Sequence, residues 1–348
     1  MVEPFIIGGI EIAPGERATL ELPIASLSNH TPMTMPVHVV RGRYPGACLL
    51  ISAALHGDEI NGVEIIRRLV RHSGLERLRG TLLCVPVVNV FGFVSRSRYL
   101  PDGRDLNRSF PGSPRGSLAA RLADAFMKEI VAKCTHVIDL HTAAIHRVNL
   151  PQIRAKLDDP ATLELARAFG VPVLVPSQLR DGSLRQAVVE RGIPVLLYEA
   201  GEALRFEEVA IRAGVRGILN VMRHLRMLRG AGARVRHLEP LIVQSSSWLR
   251  APQSGVLRMY KGVGAQVQPG DILGTIADPF GERETPVETP FAGIAIGRNN
   301  LPIVNEGDAL FHLARVVKPE NAEMHIESFY NMHADSVDSG PEEDSAII

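Results

Sequence analysis

The sequence predicts an α/β fold: a mixed, mainly parallel sheet with helices on both faces, followed by an all-β module. Two observations support this prediction. Between residues 47 and 229, apolar runs typical of buried strands alternate with amphipathic helical stretches, which is the pattern of a sheet built from strand–helix–strand units. Beyond residue 238 the helical pattern ends, and short strands punctuated by Gly, Pro and Val follow.

The composition narrows the class of protein. The chain has 348 residues, more than one core usually holds, so we expect one domain of roughly 200 residues and a smaller one. Its 38 basic and 38 acidic residues balance, which predicts no nucleic-acid or membrane partner. Three cysteines without a CxxC pair are typical of reduced core residues. Without a signal-peptide pattern or a run of about 18 apolar residues, we expect a soluble cytoplasmic protein.

We expect four segments along the chain. Residues 1–45 form an N-terminal β segment packed on the main domain, because residues within it alternate between apolar and polar. The main domain covers 46–237 and the β module 238–318. Residues 319–348 end in an acidic stretch poor in apolar groups, so this last segment is expected to be disordered.

The main domain contains the elements that are expected to position a site. The strands are predicted at 47–55, 81–88, 134–140, 171–176 and 193–199. The helices are predicted near 59–73, 117–132, 160–169, 183–191 and 203–228. In such sheets ligands collect at the carboxyl ends of the strands. Four polar residues fall at or just beyond such ends: His56, Asn89, His141 and Glu199.

The β module contains two diverged copies of one pattern. Residues 254–273 and 291–310 each show Gly, Val and then Gly-Asp-x-Leu, which is typical of a pseudo-symmetric small β-barrel. The pattern resembles the barrel-sandwich fold of biotinyl and lipoyl carriers. Those carriers present an acceptor Lys on the hairpin between the halves, whereas residues 278–285 contain no Lys. We therefore expect a structural module or a cover over the active site.

A metal site is the most specific prediction. His56 and Glu59 follow the first strand as His-Gly-Asp-Glu, and His141 follows Asp139 at another strand end. Two His and one Glu leave the fourth zinc position open for water or substrate, which indicates a catalytic zinc and hydrolysis. A lone HxxE also occurs by chance. Asp139 can fix the tautomer of a zinc-bound His, although a salt bridge is an alternative, and Asp58 is expected to be a turn or helix-capping residue.

The loop at 98–112 is the second candidate site. It carries Arg98, Arg104 and Arg108 together with Asn107. A guanidinium binds a carboxylate through two parallel hydrogen bonds, so Asn107 and Arg108 can hold an α-carboxylate, and Arg98 can polarise a scissile carbonyl. Arg104 is expected to pair with a neighbouring Asp. A solvated loop with a surface salt bridge is the alternative.

A carboxylate at the end of the last predicted strand is the third candidate. Glu199 closes an apolar strand, where a partly desolvated carboxylate is suited to act as general base. A helix N-terminal Glu is the alternative interpretation, and it applies better to Glu202.

Together these motifs look like the succinylglutamate desuccinylase/aspartoacylase family, a branch of the zinc carboxypeptidase fold. The resemblance rests on four motifs in order, His-Gly-Asp-Glu, Asp-Leu-Asn-Arg, Asp-Leu-His-Thr and Tyr-Glu-Ala-Gly, within residues 35–230. It implies zinc ligation by His56, Glu59 and His141. It also implies Asn107 and Arg108 at the substrate carboxylate, Arg98 near the scissile carbonyl and Glu199 as base.

Two further stretches resemble the family's bacterial N-acetyl-diaminobutyrate deacetylases more than aspartoacylase. These are the long N-terminal β segment and Pro151-Gln-Ile-Arg154. Arg154 is therefore a candidate substrate contact, with a surface position as the equal alternative.

These interpretations predict one zinc ion per chain and a hydrolase that cleaves the amide of a small N-acyl amino acid with a metal-activated water. Residues 46–237 would then form its catalytic domain. The alternatives are a zinc carboxypeptidase that acts on peptides and, in a different class, a noncatalytic binding or carrier protein that works through the β module. The expected partner is a small-molecule substrate, and the sequence is compatible with a homo-oligomer.

Overall fold

The computed structural model of the protein describes residues 4–229, 239–316 and 322–334. The helices are α1 (Asn61–Leu69), α2 (Val90–Ser95), α3 (Leu118–Glu129), α4 (Pro160–Phe169), α5 (Leu184–Val189), α6 (Glu208–His224) and α7 (Ala322–Ala334). The strands of the first 229 residues are β1 (Phe5–Ile7), β2 (Ile10–Ile12), β3 (Arg17–Ser26), β4 (Pro32–Arg41), β5 (Tyr44–Ala53), β6 (Arg79–Val85), β7 (His136–Ala143), β8 (Arg147–Ala155), β9 (Val173–Pro176) and β10 (Val195–Glu202). Those that follow are β11 (Leu241–Arg250), β12 (Gly255–Met259), β13 (Gln266–Val267), β14 (Ile272–Ala277), β15 (Glu284–Glu288), β16 (Gly293–Asn299), β17 (Ile303–Val304) and β18 (Ala309–Val316).

A twelve-stranded mixed sheet organises the fold, in the order β13-β16-β18-β11-β9-β8-β10-β7-β5-β6-β4-β3. Within the described residues, parallel pairing joins β6, β5, β7 and β10 and, separately, β8, β9 and β11. The other neighbouring strands are antiparallel. The α/β fold and the mixed sheet agree with the sequence prediction, but a mainly parallel sheet describes only these two groups of strands.

Alternate residues of the central strands enter two separate cores. In β5, Leu50 packs with residues of α3 and α5, whereas Leu49 and Ile51 pack with residues of α1, α4 and α6. This follows from the strand geometry, since successive side chains point to opposite faces of a sheet. Burial of both faces explains why the segment from Cys48 to Leu55 is apolar at every position except Ser52. The site lies at the ends of these buried strands.

The β module shares strands with the main sheet. β8, β9, β11, β18 and β16 pair in a closed ring, because β16 pairs with both β18 and β8. A second sheet, β15-β14-β12-β17, packs on the outer side of β16 and β18 around Leu273, Phe311 and Leu313. The expected boundary at 237/238 lies outside the described residues. From Leu241 to Val316 the described elements are all strands.

Several expected elements differ from the structure. The expectation of disorder in 319–348 is wrong for α7, whose Ala322 and Ile326 enter the core of the five-stranded ring; residues 335–348 lie outside the described part. α6 begins at Glu208, not 203, because β10 continues to Glu202. β8 and α2 were not predicted. No helix in the described residues is both long and apolar enough to span a membrane.

Candidate active site and metal centre

The carboxyl ends of three neighbouring parallel strands meet at one cavity of about 260 Å³. β7 lies between β5 and β10, and Glu199 of β10 is in register with His141 of β7. The loop that follows β5 carries His56 and Glu59. The site residues predicted from the sequence all line this cavity: His56, Glu59, Arg98, Asn107, Arg108, His141, Arg154 and Glu199.

Three buried side chains form a candidate metal centre. The two carboxylate oxygens of Glu59 lie 2.7 Å from His56 Nδ1 and 2.7 Å from His141 Nδ1. One ligand atom from each residue can be chosen so that all three lie within 4.8 Å of one another. Two imidazoles and one carboxylate form a donor set that suits zinc and leaves one position for water or substrate. The residues present therefore fit the metal that the motif implies.

The outer nitrogen of each imidazole contacts an aspartate. His141 Nε2 lies 2.8 Å from Asp139 Oδ2, and Asp139 in turn accepts a hydrogen bond of 2.7 Å from Ser52 Oγ. His56 Nε2 lies 3.2 Å from Asp105 Oδ1. A carboxylate on the outer nitrogen fixes the tautomer and the ring orientation of a metal-binding His. This arrangement directs both Nδ1 atoms at Glu59. Asp139 was expected from the sequence; Asp105 was not.

The charges of the cluster keep Glu59 ionised. Burial alone would raise the pKa of Glu59, but the adjacent His56 and His141 outweigh burial and lower it well below its usual range. Burial lowers the pKa of His141, whereas Asp139 and Glu59 outweigh that effect and raise it well above its usual value. Because an imidazole binds a metal in its neutral form, metal binding releases protons from such a cluster.

Arg98 connects the candidate metal centre to the rest of the loop at 98–112. Its guanidinium lies 3.2 Å from Glu59 Oε1 and 3.0 Å from Asp105 Oδ2. Asp105 therefore contacts both His56 and Arg98. In contrast, Arg104 is exposed and pairs with Asp102 at 3.4 Å, which agrees with the minor role that the sequence assigned to it.

The Asn107–Arg108 pair sits in a short 3₁₀ turn, Leu106–Arg108, that Asp105 caps. The Asn107 side-chain oxygen accepts a hydrogen bond of 2.9 Å from the Leu184 N–H at the start of α5. Because this contact occupies the amide oxygen, the Nδ2 group of Asn107 is the part of the side chain that can donate to a ligand in the cavity. Arg108 donates to the Asn107 carbonyl and is exposed at the rim. Both residues can reach an anion.

Glu199 is held from two sides. Asn149 Nδ2 donates a hydrogen bond of 2.6 Å to Glu199 Oε2, and Arg154 Nε lies 3.4 Å from Glu199 Oε1. The side chain of Glu199 is 19% exposed, so it is neither fully buried nor free in solvent. Arg154 is a cavity residue with a side chain 21% exposed, which excludes the alternative of a purely surface position.

Three other polar residues near the strand ends belong to turns, caps and backbone hydrogen bonds. Asn89 does not line the cavity; it caps α2 by accepting a hydrogen bond of 2.9 Å from Gly92 N–H. Asp58 lies in the turn before α1, whose first residue is preceded by Ile60 without a side-chain cap. Glu202 ends β10 and accepts hydrogen bonds of 3.0 Å from both His146 N–H and Asn300 Nδ2, so it is not the helix N-terminal residue that was expected.

Sequence reasoning missed one side of the cavity. The residues concerned are Arg147, Asn149, Ser177, Arg180, Ser183, Arg185 and Trp248. Two of these arginines follow β9 as Arg-Asp-Gly-Ser-Leu-Arg, a basic segment after a strand end that could have been noticed; Arg180 lies in the loop and Arg185 in α5. Trp248 comes from β11, in the β module, and nothing in the local sequence around it points to the cavity.

The side chains of His312 and Arg147 contact the Trp248 ring. Its ring is stacked on that of His312 with centroids 4.9 Å apart and 9° between the planes. The Arg147 guanidinium lies over the same indole at 5.1 Å from the centroid. Burial and the charge of Arg154 lower the pKa of His312 to about 4. The imidazole is therefore neutral near pH 7.

Known proteins resemble the chain over most of its length. N-alpha-acetyl-L-2,4-diaminobutyric acid deacetylase of Halomonas elongata is 29% identical over 318 residues, which cover 87% of this chain and 92% of the relative. The crystal structure of succinylglutamate desuccinylase/aspartoacylase from Rhodobacter sphaeroides is 29% identical, with a TM-score of 0.76 over 86% of this chain and 96% of that one. The product-bound ectoine utilization protein EutE (DoeB) from Ruegeria pomeroyi is 25% identical, with a TM-score of 0.76 over 86% and 94%.

The match to a family model covers the part of the chain that builds the site. The succinylglutamate desuccinylase/aspartoacylase catalytic domain matches residues 45–225, just over half of the 348 residues. These residues include β5, β7 and β10 with the candidate metal centre. The chain belongs to the succinylglutamate desuccinylase/aspartoacylase family.

Proposed function

We propose that the protein is a zinc-dependent hydrolase that cleaves the amide bond of a small N-acyl amino acid. One observation carries the proposal: the His56–Glu59–His141 cluster, a carboxylate and an anion-binding pair line the same cavity of about 260 Å³. The names of the relatives support a deacylase acting on such substrates.

One zinc ion per chain would be held by His56, Glu59 and His141. When bound, zinc polarises an acyl oxygen and lowers the pKa of a water molecule from 15.7 toward ~7. The chain prepares this site through Asp139 and Asp105, which orient the two imidazoles so that their Nδ1 atoms converge.

Glu199 is the proposed general base and acid. It lies beside His141 on the neighbouring strand, and Asn149 fixes one of its oxygens. We expect this carboxylate to take a proton from the attacking water and to pass it to the leaving nitrogen. A carboxylate that is partly withdrawn from solvent, with one oxygen fixed, is suited to both steps.

The loop residues are proposed to position the substrate. Asn107 and Arg108 would bind the α-carboxylate, because an arginine with an adjacent amide donor matches the two oxygens of a carboxylate. Arg98 would stabilise negative charge on the acyl oxygen, since its guanidinium is already fixed next to the metal centre by Glu59 and Asp105.

The geometry favours a small substrate over a peptide. Trp248 of the β module lines the cavity, and Asn300 of the same module donates to Glu202 on β10. The module therefore closes one side of the site, whereas a carboxypeptidase acting on longer peptides needs an open groove. Comparing hydrolysis of a dipeptide with that of the N-acetyl amino acid of the same side chain separates the two activities.

The metal content of the purified protein tests the proposal first. We expect about one zinc per chain by elemental analysis and its loss in the His56→Ala/His141→Ala double variant, followed by amine release from N-acyl amino acids by the zinc-loaded protein. Absence of metal in both proteins after zinc is supplied would overturn the proposed mechanism. Zinc binding without amine release from any N-acyl amino acid would overturn the reaction while leaving the metal site.

A further inference from the structure

Asn149 makes the shorter of the two polar contacts that hold the proposed base. Its Nδ2 donates to Glu199 Oε2 at 2.6 Å, whereas Arg154 Nε lies 3.4 Å from the other carboxylate oxygen. Asn149 is only 7% exposed, so its side chain is confined by its surroundings. An ionised carboxylate only accepts hydrogen bonds, so the contact exists only while the Asn149 amide turns its nitrogen towards Glu199.

A register shift between β8 and β10 accompanies this contact. Gln152 of β8 is in register with Glu199, and Asn149 is in register with Gly201. Between these two pairs β8 has residues 150 and 151, whereas β10 has only Ala200. An extra residue in one strand redirects the side chains near it and is common next to active sites. The side chain that donates to Glu199 is accordingly that of Asn149 and not that of the in-register Gln152.

The β module lies against the oxygen of the same amide. On its other edge β8 pairs with β16, where Gly297 is in register with Asn149. A Cβ on Gly297 would lie 2.8 Å from Asn149 Oδ1 and 3.2 Å from the Val148 carbonyl oxygen. Gly297 does not have a positive φ, so the space beside Asn149, and not the backbone conformation, requires a glycine. The backbone of the β module thus limits where the Asn149 amide can lie.

We propose that Asn149 is a positioning residue for Glu199, and that Gly297 of the β module holds the Asn149 amide in the orientation that donates to the base. This inference rests on the proposed function, because it takes Glu199 as the group that transfers the proton. A general base works only when its carboxylate is held within reach of the attacking water. The β module therefore contributes to the reaction through its backbone, in addition to closing one side of the cavity.

Steady-state kinetics of Asn149→Ala separate positioning from substrate binding. In the zinc-loaded full-length protein, kcat should fall about 10- to 100-fold, because a hydrogen bond to a charged group is lost. KM should stay within about two-fold of the wild-type value, and the zinc content should not change. Asn305→Ala, at an exposed turn of the β module, is the control. A higher KM with unchanged kcat would show that Asn149 binds substrate instead, and would overturn the inference, as would wild-type values of both constants.

Asn149→Asp separates hydrogen-bond donation from packing. Aspartate keeps the shape of the side chain but replaces the donor with a second carboxylate beside Glu199, and two carboxylates this close do not both ionise readily. We expect the loss of kcat near pH 7 to be at least as large as in Asn149→Ala. Wild-type kcat in Asn149→Asp would show that only the volume of the residue matters, and would overturn the positioning role.

A double-mutant cycle tests whether Asn149 acts through Glu199. Once Glu199 is replaced by Gln, no carboxylate remains for Asn149 to position, so adding Asn149→Ala should lower kcat by less than about three-fold. In the wild-type background the same substitution should have its full effect. Equal losses in the two backgrounds would show that Asn149 supports the fold and not the base, while leaving the proposed hydrolase intact.

Gly297→Ala tests the connection to the β module. The new methyl group should push the Asn149 amide away from Glu199 and lower kcat by about ten-fold, with zinc retained. In the Asn149→Ala background it should cause no further loss, since the amide is already absent. Gly262→Ala, also in the β module and with no atom within 4 Å of the new Cβ, is the matched control. Wild-type kcat in Gly297→Ala would overturn the part assigned to the module.

NMR of the Asn149 side chain provides a readout that does not depend on hydrolysis. In protein labelled with ¹⁵N-asparagine, the Asn149 amide signal is identified by its absence in Asn149→Asp. It should shift in Glu199→Gln and in Gly297→Ala and stay in place in Gly262→Ala. These shifts would support the connection from the β module to Glu199 even if no N-acyl amino acid is hydrolysed. A signal that is unchanged in both Glu199→Gln and Gly297→Ala would overturn the inference, whatever the activity of the protein.

Discussion

Asp105 Oδ1 lies 3.2 Å from His56 Nε2, and its Oδ2 lies 3.0 Å from the Arg98 guanidinium. One carboxylate thus orients a proposed zinc ligand and a proposed carbonyl-binding group. It also caps the turn that carries Asn107 and Arg108. The three parts of the proposed site therefore depend on the position of this residue.

Replacing Asp105 should weaken metal binding without removing any ligand. We expect zinc affinity to fall by about 10- to 100-fold in Asp105→Ala, because His56 loses the acceptor on its outer nitrogen. Competition with a chelator measures the change. Asp105→Asn retains an acceptor oxygen and should lie between the wild type and Asp105→Ala. Asp102→Ala, which removes only the exposed partner of Arg104, is the control, and wild-type affinity in Asp105→Ala would contradict the assignment.

Glu199→Gln should lose activity and keep its metal. If Glu199 transfers the proton in both steps, kcat should fall on the order of 10²- to 10⁴-fold, while elemental analysis still finds about one zinc per chain. Gln can also accept the hydrogen bond from Asn149, so the side chain should stay in place. Near-normal turnover on a confirmed substrate would exclude Glu199 as the acid–base group.

Gly57 is required by a close approach of two backbone segments. A Cβ at this position would lie 1.9 Å from the Gly92 carbonyl carbon and 2.1 Å from Phe93 N. Gly57→Ala should therefore displace the loop between His56 and Glu59, destabilise the protein by a few kcal/mol and reduce zinc binding. Chemical denaturation and elemental analysis measure these effects. Gly262→Ala, with no atom within 4 Å of the new Cβ, is the control; equal behaviour of the two variants would contradict this prediction.

The buried imidazole of His312 should make stability depend on pH. Burial, and then the charge of Arg154, lower the pKa of His312 to about 4, whereas the unfolded chain binds this proton near pH 6.5. The contribution of neutral His312 to the free energy of unfolding is fully present above pH 6.5. It is lost as the pH falls from 6.5 toward 4, since the unfolded state binds more protons in that range.

Urea unfolding at pH 7 and pH 5 tests this expectation. Between the two values the wild type should lose roughly 2 kcal/mol more than His312→Gln. The comparison with the variant removes the contribution of other titrating groups. The same loss in both proteins would show that His312 titrates as an ordinary exposed histidine.

The sequence predicted that His56, Glu59 and His141 come together, and the structure places them in one cluster, for a physical reason. The predicted strands 47–55 and 134–140 are rich in apolar residues and are mostly buried, so their ends could be located. His56 and His141 lie at those ends, and parallel neighbours bring such ends together. The predicted strand ends were therefore sufficient to place both His residues near Glu59.

The remaining side of the cavity could not be predicted in this way. β8 contains Pro151 and buries polar residues such as Asn149 and Gln152, so it lacks the apolar pattern of a buried strand. Arg185 of α5 is buried because the loop after β9 folds against this helix, where the guanidinium donates to Ser177 Oγ and the Gln178 carbonyl. Trp248 reaches the cavity because β11 pairs with β9 and β18, and these pairings join residues far apart in the chain.

The ring of β8, β9, β11, β18 and β16 contains strands of both the main domain and the β module, so the two parts are expected to fold together. A protein truncated after α6 would leave β9 without its neighbour β11 and would expose unpaired N–H and C=O groups along that edge, which promotes aggregation. It would also lack Trp248. Deleting the module should therefore yield an insoluble fragment, not a smaller enzyme with altered specificity.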